Sequence, residues 1–179
     1  MGHTDNAGKA LPGQSADYYS ADKAKEYYQA VLDLGFDAVM SSGYRRAVAL
    51  LQGKARMLWR MFSGKTFAPT YSKMDYTRLM ANYYVPEDAS ENIYPTLLPQ
   101  WDRTPRAGKN SEIVVDSTPD RFQDTVERAI ELIKQKEPEH QLLFLKAWNE
   151  WGEGDYVEPD QKFGHGYIKA IRNAIDKFE

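Results

Sequence analysis

Glu150 and Glu153 stand three residues apart, between Trp148 and Trp151, in the segment Trp148-Asn149-Glu150-Trp151-Gly152-Glu153-Gly154. The loop continues Asp155-Tyr156-Val157-Glu158-Pro159-Asp160 and follows an apolar run, Leu142-Leu143-Phe144-Leu145. Two carboxylates side by side can divide proton transfer and charge stabilisation at a sugar's reacting carbon. Flanking indoles stack on the apolar faces of sugar rings. The bland alternative is a pair of solvated loop acids, and spacing alone leaves it open. Upstream, Trp101-Asp102-Arg103-Thr104-Pro105-Arg106 offers a second polar, aromatic and cationic set. There the arginines Arg103 and Arg106 suit sugar hydroxyls or a phosphate, and Asp102 suits hydroxyl donors. A surface ion cluster is the competing reading. Trp101 reads equally as a stacking platform or as core.

These loops need elements to hold them. Polar residues 1–17 read as a disordered lead-in, and residues 18–179 as the folded domain. Ala24, Tyr27, Tyr28, Val31 and Leu34 recur at helical spacing from an N-cap at Ser20, with Gly35 as the stop. Phe36 to Met40 reads as a short buried strand, and residues 44–62 as a helix whose Met57, Trp59, Met61 and Phe62 serve the core. A weak strand is expected over 67–71 and a helix over 75–84. Ile93 to Leu98 reads as a strand in which Pro95 demands a start or an irregular position. Thr118-Pro119-Asp120 announces a helix, carried by Phe122, Val126, Ala129, Ile130 and Ile133. Leu142 to Ala147 is the strongest strand signal. A last helix over 166–178 should bury Ile168, Ile171, Ala174, Ile175 and Phe178.

Strands alternating with helices predict an α/β fold with a parallel sheet. Ligands of such folds sit beyond the C-terminal strand ends. Both informative loops directly follow expected strands, so they should open on one face. If strand geometry continues past Ala147, then Lys146, Trp148 and Glu150 share a side. Gly152 and Gly154 allow the tight turn that could bring Glu153 back toward Glu150.

Composition sets limits. The chain has 179 residues, 42% of them hydrophobic and 27% charged, as expected for a globular domain with a core. A net charge of -3 gives no general attraction to nucleic acid or anionic lipid. With no cysteine, disulfides and thiolate metal sites are excluded. The three histidines, His3, His140 and His165, form no metal-binding pattern, and His165 reads as structural. The sequence lacks a Walker A loop, a GxGxxG and a GxSxG elbow, so no cofactor or metal is expected. No apolar run is long enough to insert in a membrane and no signal peptide is seen, which makes the cytoplasm the expected location.

The segment from Phe144 to Gly154, with Val157, Glu158-Pro159-Asp160 and Phe163-Gly164-His165-Gly166-Tyr167, resembles the C-terminal signature of the WbsX-type glycosyltransferase-like family. Trp101 to Arg106 resembles that family's upstream signature, and the likeness covers roughly residues 20–178. The family is related to the endo-α-mannosidase glycoside hydrolases. The resemblance implies a (β/α)8 barrel and a role in bacterial surface-polysaccharide (O-antigen or capsule) synthesis. It implies that Glu150 is the base that deprotonates a sugar 2-hydroxyl, giving a 1,2-anhydro sugar. Glu153 would be the acid/base for leaving group and acceptor. Trp101, Asp102, Arg103, Arg106, Trp148, Asn149, Trp151, Tyr156 and Glu158 become candidate sugar contacts. Such a barrel takes about 250 residues, so the chain is expected to be its C-terminal part, with about four βα units. An N-terminal half-barrel chain or a second copy would then complete it. A retaining endo-acting α-glycosidase and a non-catalytic glycan-binding remnant are the rival functions.

Overall fold

The computed structural model describes residues 21–41, 43–51, 72–108 and 111–179. The expected lead-in, the second half of the helix over 44–62 with its four core candidates, the strand over 67–71 and His3 lie outside them.

Helix α1 (Ala21–Leu32) buries Ala24 and Tyr28, with Tyr27 and Val31 packed beside them. Leu34 falls past its end and is exposed, so the apolar stripe is shorter than its spacing predicts. Strand β1 (Val39–Ser41) begins later than expected: Val39 and Ser41 face inward, whereas Phe36 and Met40 lie in solvent. Residues 44–51 form α2. Strand β2 (Ser72–Asp75) leads directly into α3 (Tyr76–Met80), where the Asp75 side chain accepts from the Arg78 N–H at 2.9 Å. This helix ends at Met80, well short of the expected Tyr84.

Strand β3 (Ile93–Leu97) is central. It pairs in parallel with β1 (Val39↔Ile93, Ser41↔Pro95) and with β6 (Phe144–Leu145; Thr96↔Phe144, Leu97↔Leu145). Pro95 stands at the junction: the ladder to β1 ends there and the ladder to β6 starts one residue later. The missing N–H therefore falls between two pairings, which admits proline inside a central strand. Strand β6 has two residues, far fewer than the run from Leu142 to Ala147 predicts, and Leu142 and Phe144 are exposed.

A second sheet has the order β2-β5-β4. Strand β4 is Trp101–Asp102, followed by the short helix α4 (Thr104–Ala107). Strand β5 (Glu112–Val115), rich in β-branched residues, runs parallel to β2 and antiparallel to β4. None of the sheets formed by the described residues is closed.

Thr118 caps α5 (Pro119–Ile133), which buries the whole expected stripe of Phe122, Val126, Ala129, Ile130 and Ile133. The final helix α6 (Gly166–Asp176) packs on α5 through Tyr167, Ala170 and Ala174. Ile175 is exposed instead of buried, because α6 turns that side of its last turn to solvent. A Cβ on Gly166 would come within 2.6 Å of Pro119 Cγ, so the helix starts can touch only with glycine there. Three buried hydroxyls tie helices to strand ends. Tyr76 donates to the Leu98 carbonyl (2.8 Å), Ser117 donates to the Pro99 carbonyl (2.6 Å), and Tyr167 meets the Ser117 hydroxyl (3.0 Å).

Phe122 is fully buried and stacks obliquely on Tyr167, with ring centroids 5.6 Å apart. Truncating such an aromatic costs about 3–5 kcal/mol. Phe122→Ala is expected to lower the urea midpoint by that equivalent while leaving the far-UV spectrum helical. An unchanged midpoint would mean that α6 does not dock on α5 in solution.

Candidate functional site

Because β3 and β6 are adjacent and parallel, the chain leaves both at the same sheet edge, and the Lys146 N–H donates to the Leu97 carbonyl at 3.0 Å. After β3 the chain enters β4 and α4; after β6 it bends at Lys146 and Trp148 and forms a hairpin. The hairpin consists of β7 (Asn149–Glu150) and β8 (Asp155–Tyr156), joined by a single 3₁₀ turn, Trp151–Glu153. The bends break the alternation that would have put Lys146, Trp148 and Glu150 on one side.

The turn closes on Gly154, whose left-handed backbone (φ +58°) suits glycine. A Cβ at Gly154 would lie 2.9 Å from the Asp102 amide nitrogen. The hairpin tip thus sits directly on β4, bringing the two loops together. Asp102 is used internally: its Oδ1 accepts from the Thr104 N–H at 2.8 Å and fixes the entry into α4. That helix presents Arg106.

Arg106 bridges both glutamates. Its Nη2 donates to Glu150 Oε1 at 3.0 Å and its Nη1 to Glu153 Oε1 at 3.1 Å. Arg103 Nε lies 3.3 Å from the same Glu153 oxygen. These guanidiniums are substantially exposed, and ion pairs of this kind contribute only about 0–1 kcal/mol each. Their effect is geometric: two like charges are held at one guanidinium, open to solvent.

The tryptophans separate. Trp148 is 52% and Trp151 47% exposed, whereas Trp101 is 7% exposed. Trp101 packs on Tyr44 (centroids 5.1 Å apart) and takes the Lys146 ammonium 3.9 Å from its ring centroid, so it offers no open platform. Trp151 stacks on Tyr156 at 3.7 Å and 17°, and its indole N–H donates to Glu158 at 2.7 Å. Tyr156 and Glu158 therefore set the orientation of Trp151. Asn149 is exposed beside them, paired across the hairpin with Tyr156.

Asp155 and its pairing with Lys146 escaped the sequence reading. Asp155, opposite Glu150 in the hairpin, is 0% exposed. Its Oδ2 accepts from Lys146 Nζ at 2.6 Å, while Oδ1 has no partner. Burial pushes its carboxyl up to about 6; Lys146 opposes this, and Glu153 and Glu150 add to it. An acid next to a lysine nine residues earlier carries no local signal; only the hairpin joins them. No group of acids and histidines among the described residues could hold a metal ion.

A paired-carboxylate site with exposed indoles at the end of parallel strands is the kind of site found in carbohydrate-active proteins, and the comparisons give the family. Residues 13–171 match the glycosyltransferase WbsX family, and the chain belongs to it. It is 28% identical over 147 residues to "Uncharacterized protein WxcX" of Xanthomonas campestris pv. campestris strain B100. It is 27% identical to the protein of the same name in strain ATCC 33913. The aligned part is 81% of this chain and 20% of either relative, so the chain spans about a fifth of their length. No solved structure matches.

Gly154→Ala meets both a left-handed backbone, costing about 1–2 kcal/mol, and the Asp102 contact. It is expected to lower the melting temperature and to change the Trp148/Trp151 fluorescence as the tip lifts off β4. Unchanged emission would contradict the seating.

Asp155 also makes stability depend on pH. Its folded carboxyl holds a proton up to about pH 6, while the unfolded one releases it near 4. The folded state therefore binds more protons in that window, and stability falls as pH rises from about 4 to about 6, by roughly 2–3 kcal/mol. Asp155→Asn should flatten this part of a stability-versus-pH curve measured by urea denaturation.

Proposed function

We propose that this chain handles carbohydrate in bacterial surface-polysaccharide biosynthesis, with Glu150 and Glu153 as the reacting carboxylates of glycosyl transfer. The observation that carries the reading is the Arg106 guanidinium bonded to both glutamates beside the exposed rings of Trp148 and Trp151. Membership of the WbsX glycosyltransferase family supports a sugar substrate. We further propose that β1, β3 and β6, parallel neighbours in one sheet, belong to the C-terminal part of a (β/α)8 barrel. The rest of that barrel would come from a longer polypeptide like its relatives, from a separate N-terminal half, or from a second copy. No helix among the described residues is long and apolar enough to cross a membrane; work on cytoplasmic precursors is part of this proposal.

In the proposed reaction a sugar enters over Trp148 and Trp151 and its 2-hydroxyl takes the place of the Arg106 N–H at Glu150. Glu150 removes that proton, and the 2-oxygen attacks the anomeric carbon as the glycosidic bond breaks. Glu153 gives its proton to the leaving oxygen. The acceptor hydroxyl then opens the three-membered ring and gives its proton to Glu153, while the 2-oxygen takes back the proton held by Glu150, so both carboxyls regain their starting states. Two displacements leave the anomeric configuration unchanged.

Glu150→Gln keeps the side-chain shape and removes the base. General acid–base catalysis is worth about 10²–10⁴-fold, so transfer to an added acceptor, read by mass spectrometry on a panel of capsule and O-antigen oligosaccharides, should fall by that factor. Free sugar without a lengthened glycan would favour the hydrolase reading. Glycan binding that survives Glu150→Gln, with no turnover in either chain, would reduce the site to a binding module.

A further inference from the structure

Lys146 and Asp155 form an ion pair next to the two glutamates and are unused by the reaction above. Asp155 is held from several sides. Lys146, at the end of β6, is its direct partner at 2.6 Å. Glu150 and Glu153 approach from its own hairpin, and Tyr76 faces it from α3. Lys146 is in turn fixed from behind by the Trp101 ring. One carboxylate oxygen is bonded and the other, Oδ1, is buried without a partner. A buried acceptor with nothing to accept costs about 1–3 kcal/mol.

We propose that Asp155, held by Lys146, is a third carboxyl of the site, a positioning residue whose charge state is coupled to those of Glu150 and Glu153. The inference rests on the paired-glutamate reading for its function, but not for its geometry. Asp155 stands opposite Glu150 in the hairpin, and Arg106 ties Glu150 to Glu153, so a change of charge on Asp155 acts on both. When a solvent proton binds Oδ1, no covalent bond breaks and the Lys146 charge loses its counter-ion. That unbalanced charge favours Glu150 and Glu153 as anions. When Asp155 gives the proton up, the pair is neutral again and a proton on one glutamate is favoured, as an acid/base step requires. Burial of Asp155 supports this direction by lifting its titration to about 6.

The test is a carboxyl-detected NMR titration of the full chain labelled with ¹³C at Asp and Glu. The expected result is an Asp155 midpoint near 6 that moves down in the Glu150→Gln, Glu153→Gln double variant. Reciprocally, Asp155→Asn should perturb the carboxyl signals of both glutamates, while Lys146→Arg keeps the wild-type pattern. A merely structural role would alter melting without moving these midpoints. An Asp155 midpoint indifferent to the two glutamates overturns the proposal. If Asp155→Asn does not fold, the double variant, altered at partly exposed positions, still decides the question. The titration is independent of turnover. Coupling without glycan activity would sink the sugar reading alone, and activity without coupling would sink this inference alone.

Discussion

The parallel pairing of β6 against β3 is the constraint on which the site depends. Only two residue pairs carry it, Thr96↔Phe144 and Leu97↔Leu145, yet it fixes the direction and the edge at which two distant segments leave the sheet. Parallel neighbours need a long crossover, and here α5 supplies it, its apolar face buried against the common core. The hydroxyls of Ser117 and Tyr167 then pin the start of that crossover to the Pro99 carbonyl, where the loop toward Trp101 begins. Burial in the helices is thus converted into a fixed position for side chains at the surface.

Different forces hold the upper and lower layers of the site. Below, Lys146 and Asp155 form a partly desolvated pair, and removing Lys146 would leave the fully buried Asp155 carboxylate without its counter-ion. Above, Arg106 and Glu150 are exposed enough for water to screen them, so their pairing stabilises little and can be exchanged for a ligand at small cost, while Glu153, 15% exposed, is held against both guanidiniums. A rigid base under a labile surface is what a site needs if it is to bind sugars and let them go.

How much of this was legible in the sequence depended on whether the signal was local. The helix over 119–133 was readable because its cap, its proline and its apolar period agree. The meeting of the two loops followed from strand order. Local apolarity misled at Leu142, Phe144, Phe36 and Met40, which lie at strand ends and outer faces, where the pairing needed to bury them is missing among the described residues. Strand β5 was overlooked although Ile113-Val114-Val115 is β-branched, because four residues between polar loops make a weak pattern. The pair of Lys146 and Asp155 had no local signature: its members meet only after the Gly154 turn closes.

The three tryptophans near the site show how neighbours outweigh residue type. Trp101 enters a strand paired on Val114, so its ring turns inward onto Tyr44 and the Lys146 ammonium. Trp148 and Trp151 flank a two-residue strand whose only described partner is β8, so nothing covers them from outside. Trp151 has one face occupied by Tyr156 and its N–H by Glu158, which immobilises the ring before any ligand arrives. An exposed indole normally loses rotamer freedom on binding, and that cost is set against affinity. Here folding has already met it for Trp151. On the proposed reading, a ring held in place beside two carboxylates would fix where a pyranose stacks, and with it which carbon of the sugar faces Glu150 and Glu153.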